Sequence, residues 1–200
     1  MPTKFMIVSA ALLAGFAASP ALHAQANELS VLAGAAHPSA SVSVASIVSV
    51  SGGYTASVQA DFAHRLKDGA NGALYFELPA ARVFHASVDV GLDHVSASQS
   101  QLFFTPGMRY VFAPRARVSP YAAGGFGFGW YDAASLTVIG PASVRVLDGY
   151  HPAAGVGAGA EVRITRGLVF RAEVRDFINC AAGVGSRNHM VYNGGFGVRF

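Results

Sequence analysis

The residues able to do chemistry in this 200-residue sequence fall into three sets with different spacings. The largest set is charged and keeps one face of a repeating two-residue pattern: Asp61 and Arg65, Glu77, Arg109, Glu161 and Arg163, then Arg171, Glu173 and Arg175. A period of two puts such residues on one side of a strand. Both signs occur there, and every basic member is arginine, whose planar fork suits paired bonding to carboxylates in a confined space. The second set is a pair of His-x-Ser triplets, His85-Ala86-Ser87 and His94-Val95-Ser96, with Asp89 and Asp93 close by. Nucleophilic catalysis needs serine and histidine within hydrogen-bond reach on a fixed scaffold. These triplets lie in 80–100, which reads as the longest connection of the chain, so no catalytic residue is assigned. The third set is glycine, GFGFG at 125–129 and GVGAG at 155–159. Gly155, Gly157 and Ala160 formally satisfy a dinucleotide-loop pattern, but the glycines alternate inside strands and no helix follows. No cofactor or metal site is expected.

Eight strands must position these side chains. The alternation predicts them at 28–36, 53–65, 73–79, 101–112, 119–132, 149–164, 168–178 and 189–200. Tyr54, Ala56, Val58, Ala60 and Phe62 oppose Ser57, Gln59 and Asp61 on the second strand. Leu74, Phe76 and Leu78 oppose Tyr75 and Glu77 on the third, and Leu102, Phe104, Met108, Tyr110 and Phe112 oppose Thr105 and Arg109 on the fourth. Phe126, Phe128 and Trp130 oppose three glycines on the fifth, while Phe170, Ala172 and Val174 oppose Arg171, Glu173 and Arg175 on the seventh. Tight turns fall at 67–72, 113–118 and 165–167, the first supplied with D-G and N-G dipeptides. The connections thus alternate between long and short, at about 15, six, 21, six, 16, three and ten residues. Trp130, Tyr131 and Tyr150 at one end, with Tyr110, Phe112 and Phe200 at the other, suggest two aromatic girdles.

Composition narrows what such a sheet is for. Apolar residues make up 52% of the chain and charged ones 12%, with a mean hydropathy of +0.38. After the N-terminus, though, no apolar run reaches the roughly 18 residues of a spanning helix. High apolar content dispersed over alternate positions is what a transmembrane barrel produces. Residues 1–26 read as a secretory signal peptide: Lys4, the apolar Met6 to Phe16, and a small-residue cleavage site ending at Ala24 or Ala26. The domain proper is then 27–200. Removing Lys4 leaves 13 basic residues against 11 acidic, a balance that gives no argument for nucleic acid. Cys180 is the single cysteine, which excludes an intrachain disulfide framework.

The last stretch, HMVYNGGFGVRF, sets Met190, Tyr192, Gly194, Phe196, Val198 and Phe200 on one face. A terminal Phe200 with Val198, Phe196 and Tyr192 at the third, fifth and ninth places back resembles the C-terminal signature of bacterial outer-membrane β-barrels. With eight strands and alternating loop lengths, the whole mature chain resembles the small OmpA/OmpX-type barrels. The resemblance implies an all-β, eight-stranded antiparallel up-and-down transmembrane barrel in the outer membrane, with the last strand closing on the first. It implies lipid and lipopolysaccharide around the barrel, the β-barrel assembly machinery as the partner in insertion, and a monomer. Lipid outside leaves the charged face in the lumen, where an eight-stranded interior is just wide enough for side chains to fill. The expected function is therefore a structural or surface-interaction barrel plugged by Asp61, Glu77, Arg109, Glu161, Arg163, Arg171, Glu173 and Arg175. The alternatives are a small porin-like channel and, from the His-x-Ser pairs of lipid A deacylases in this group, a lipid A-modifying enzyme.

Overall fold

Large apolar residues at one parity and small or charged residues at the other give each strand an outer and an inner face, and the sheet curls until its edges meet. The structure, a computed structural model, describes residues 26–39, 50–90, 95–132, 135–137, 149–181 and 185–200. The strands are β1 (Asn27–Ser39), β2 (Val50–Gly52), β3 (Thr55–Asp68), β4 (Gly72–Val90), β5 (Val95–Phe104), β6 (Gly107–Phe112), β7 (Val118–Tyr131), β8 (Ser135–Thr137), β9 (Gly149–Arg163), β10 (Leu168–Ala181) and β11 (Gly185–Arg199). Every pairing between them is antiparallel. β5 and β6 form one stave interrupted at Thr105-Pro106. Both pair with β4 on one side and β7 on the other, in a register that is unchanged across Thr105-Pro106 and shifts only farther along, between Val83 and Ala86. Eight staves therefore close the barrel in the order β1, β3, β4, β5–β6, β7, β9, β10, β11.

The closing seam joins β1 to β11, from Glu28 opposite Arg199 to Ser39 opposite Asn188. Asn27 and Phe200 extend it by exchanging backbone hydrogen bonds of 2.9 and 3.0 Å. With the seam made, the eight staves form a closed ring among the described residues, and β2 and β8 add to it at the rim. Both ends of the barrel chain share one rim with the short connections 69–71, 113–117 and 164–167. The strand ends Ser39, Val90, Val95, Tyr131, Gly149, Ala181 and Gly185 lie toward the opposite, long-loop rim.

Here the fold corrects one expectation. Within 80–100, residues 80–90 and 95–100 are strand and not loop: β4 runs on to Val90 and β5 starts at Val95, paired from Ala86–Gln99 to Val90–Val95. Strand pairing needs extended backbone and not an apolar neighbour, so Ser/Ala/Val alternation carries the hairpin past the apolar belt. β2 adds to it with Ser51 opposite Asp89, and β8 adds to β5 with Leu136 opposite Ala97. Residues 85–87 and 95–96 therefore lie on strands, with Ser96 opposite Asp89. The side chains of both His-x-Ser triplets, Asp89, Asp93 and Cys180 lie outside the described residues, as do residues 1–25.

The two faces separate cleanly. Phe76, Met108, Tyr110, Phe126, Phe128, Val156, Val174 and, on β11, Met190, Tyr192, Phe196 and Val198 point outward and are exposed. Inside, one apolar cluster of Ala63, Ala73, Tyr75, Val111, Tyr121 and Ala123 sits toward the short-turn rim. Another of Ala36, Ala81, Val83, Phe103, Tyr131, Ala153, Phe177 and Val191 sits toward the long-loop rim. The charged residues lie between them.

Candidate functional site

Inward parity on seven staves brings nine charged side chains into the middle of the barrel. Arg109 (β6), Arg171 and Arg175 (β10), Glu28 (β1), Asp61 (β3), Glu77 (β4), Glu161 (β9) and Glu173 (β10) are buried, and Arg199 (β11) is half-buried. Glu173 is one hub. It accepts from Arg171 Nη2 at 2.9 Å, Arg175 Nε at 2.8 Å, Tyr121 Oη at 2.8 Å and Gln59 Nε2 at 3.0 Å. Glu28 is the other: Arg109 donates to its Oε1 through both Nη atoms at 3.0 Å, and Arg199 Nε donates to Oε2 at 2.8 Å. Arg171 links the hubs, donating to Asp61 at 2.6 Å while lying 3.5 Å from Glu28. Arg175 reaches across to Glu77 at 2.7 Å. Glu161 lies 3.0 Å from Arg109 and accepts from Arg199. Aromatic rings complete the packing, with Arg109 4.9 Å from the Tyr75 centroid and Arg171 5.1 Å from that of Tyr121.

The network is formed by contacts across the barrel as well as along its wall. Arg171–Asp61 and Arg175–Glu77 join β10 to β3 and β4, which are not its sheet neighbours. Desolvating an isolated charge costs several kcal/mol, so each arginine here is set against two or more carboxylates. Four arginines meet five carboxylates, so the fully ionised cluster is not a cation trap but a nearly neutral, slightly acidic lattice.

Seven of the eight side chains expected in the lumen are brought together, and Arg163 is not. It shares the parity of Glu161 but stands one step nearer the rim. There its guanidinium donates to the carbonyl of Pro114 and, at 3.4 Å, to that of Arg115. Two members escaped the sequence reading, Glu28 and Arg199. Each is at the extreme of its strand, where alternation has too few repeats to assign a face. The neutral members Tyr121, Gln59, Asn193 and Ser30 carried no charge signal, although Gln59 and Tyr121 follow the inward parity of their strands.

Above the charges lies an aromatic layer. Phe103 stacks on Phe177 with centroids 4.6 Å apart and planes within 7°, and it packs edge-on to Tyr131 at 6.1 Å. Tyr131 Oη is 3.3 Å from His189 Nε2. Tyr131 is thus inside the barrel and not in the outer girdle expected for it, because it follows outward-facing Trp130 by one residue. Trp130, Phe128 and Tyr150 do lie outside, in ring contact with one another. The glycines of β9 make the room for inward side chains. A Cβ on Gly157 would crowd Arg175 at 3.2 Å, and one on Gly159 would meet the Tyr121 ring at 2.6 Å. These incoming groups belong to the adjoining strands β10 and β7.

Comparison with known proteins bears on the frame that holds this network. No family model matches the chain, and no curated protein matches it significantly. Among solved structures it is similar to the outer membrane protein OprG from Pseudomonas aeruginosa, with a TM-score of 0.58 and 15% identity over 88% of this chain and 96% of that one. It is equally similar to Neisserial surface protein A, with a TM-score of 0.58 and 14% identity over 88% of this chain and 98% of that one. At such identities the likeness speaks for architecture, and by architecture the protein is a small eight-stranded β-barrel of the outer-membrane type.

Proposed function

We propose that the protein is an outer-membrane barrel with a closed lumen that acts as a rigid scaffold for its long-loop rim. The observation that carries this reading is the buried lattice of Arg109, Arg171, Arg175 and Arg199 with five carboxylates, filling the middle of the barrel. A conduit for solutes would need hydrated charges and a free axis. In this lumen the guanidiniums of Arg109 and Arg171 have no exposure at all. The outward belt of Phe, Val, Met and Tyr supports lipid contact, since an apolar surface of that extent is unfavourable in water. On this reading residues 1–26 are removed on export, the β11 signature engages the assembly machinery, and lipopolysaccharide surrounds the long-loop half.

The deciding measurement is single-channel recording of the refolded 27–200 chain in planar bilayers, together with gel mobility before and after boiling. A closed barrel gives no steady current and a heat-shifted band, because its strand hydrogen bonds persist in detergent until heated. Large, steady conductance would favour the porin-like reading and defeat the plug. Unchanged mobility on boiling would count against the barrel in membranes altogether. The remaining alternative, lipid A modification through the His-x-Ser residues, would be favoured only by release of acyl chains from lipid A by the refolded protein.

A further inference from the structure

Among the described residues outside the lumen, unpaired basic side chains gather at the short-turn rim, where Arg65 is set against Asp68 at 3.3 Å. At the short-turn rim, 113–117 (APRAR) and 164–167 (ITRG) carry Arg115, Arg117 and Arg166 and no acid. β7 and β9 are neighbours, with Val118 opposite Val162, so these two turns stand side by side. Arg163 ties them together. Its amide donates to the Arg117 carbonyl at 2.8 Å, and its guanidinium holds the carbonyls of Pro114 and Arg115. Arg163 is therefore engaged with backbone. Arg115, Arg117 and Arg166 are exposed instead, with no described carboxylate in ion-pair distance. At the other rim the described cation Arg82 is set against Asp132 at 3.5 Å.

The same rim also carries exposed apolar side chains. Val118 is 54% exposed beside Arg117, and Ile164 is 51% exposed two residues from Arg166. A soluble polyanion would need only the cations. Arginines interleaved with apolar side chains match an amphiphile that presents a phosphate and an acyl chain at one level. Arginine forks bind phosphate oxygens in pairs, and clustered basic residues at a membrane surface favour anionic lipid. We infer that the short-turn rim is a binding site for anionic glycerophospholipid, with the phosphodiester on Arg115, Arg117 and Arg166 and the acyl chains along Val118 and Ile164. Arg163 is a positioning residue for it. The inference rests on the membrane reading above and extends it to the leaflet at the short-turn rim.

The test uses the refolded 27–200 chain in nanodiscs of phosphatidylcholine, with and without a minor share of phosphatidylglycerol, and counts the lipids retained on release by native mass spectrometry. The wild type is expected to retain phosphatidylglycerol over phosphatidylcholine by a factor on the order of five, diminishing as salt rises. The triple variant R115Q/R117Q/R166Q is expected to fall to parity, while R82Q at the other rim keeps the preference. Equal retention of both lipids by the wild type, or an undiminished preference in the triple variant, would overturn the inference. So would displacement of the lipid by inorganic phosphate at matched concentration, which would point to a site for soluble anions. A chain that gives no heat-shifted band in either disc would instead defeat the membrane reading, and the lipid site with it.

Discussion

Glu173 is the side chain on which the lumen depends most, because two guanidiniums, a phenol and an amide all donate to it. Replacing it with alanine would leave Arg171 and Arg175 buried with one carboxylate fewer to share. Removing one partner of a buried pair costs about 3–5 kcal/mol, more than the pair contributes over an apolar filling. Glu173→Ala is therefore expected to lower the unfolding free energy of the vesicle-inserted barrel by about that amount in urea titration. Arg163→Gln supplies the contrast. Its bonds are to carbonyls at a solvent-exposed turn, so a loss of about 1 kcal/mol or less is expected. Equal losses for the two would show that the lumen is hydrated and the lattice loosely held. The two arginine environments differ although Arg163 and Arg171 look alike in the sequence. Parity told which way each points, but depth along the barrel axis decided what each meets. Glu28 shows the converse: its three arginine partners lie at 109, 171 and 199, separations that no local pattern spans.

At the scale of the strand, β11 does two separate jobs with its two faces. Phe196 and Val198 point outward, while Arg199, between Val198 and Phe200, turns inward to Glu28 and Glu161. A charge at position 200 is thus expected to reduce the yield of insertion into vesicles, scored by the heat-shifted band. Arg199→Ala is expected to insert with a higher yield than Phe200→Asp but to unfold at lower urea, since it releases the seam from both carboxylates. Comparable insertion yields for the two would show that the terminal aromatic is not what insertion depends on. Most elements were legible because alternation repeated four or more times within them, as in 154–163 and 168–175. The misjudged elements were the strands over 80–90 and 95–100, where the sequence ceases to alternate large apolar with polar residues while the backbone goes on pairing. Alternation of hydropathy reports the solvent at each face, and it falls silent where both faces see water. The break at Thr105-Pro106 was hidden for a related reason: proline withholds one N–H, and the flanking register is unchanged across it.

For the barrel as a whole, the closures lie in series along one axis, and this governs what opening it would require. The charged lattice occupies the middle, and the Phe103–Phe177 stack with Tyr131 and His189 closes the lumen on the long-loop side. Arg175 and Phe177 are successive inward positions on β10, so the layers are one strand repeat, about 7 Å, apart. In a series arrangement the narrower closure sets the current. Replacing Arg171 and Glu173 together with small neutral residues removes a donor and an acceptor at once and leaves less uncompensated charge than either change alone. With the aromatic layer intact above it, the expected result is only brief, low-amplitude openings. Phe103→Ala with Phe177→Ala in the native charge background is likewise expected to leave the barrel closed, now by the lattice. Steady current is expected only in the quadruple variant, provided that it still gives a heat-shifted band. Full conductance from the charge pair alone would mean that the aromatic stack yields to water and that Arg171 and Glu173 are the sole barrier.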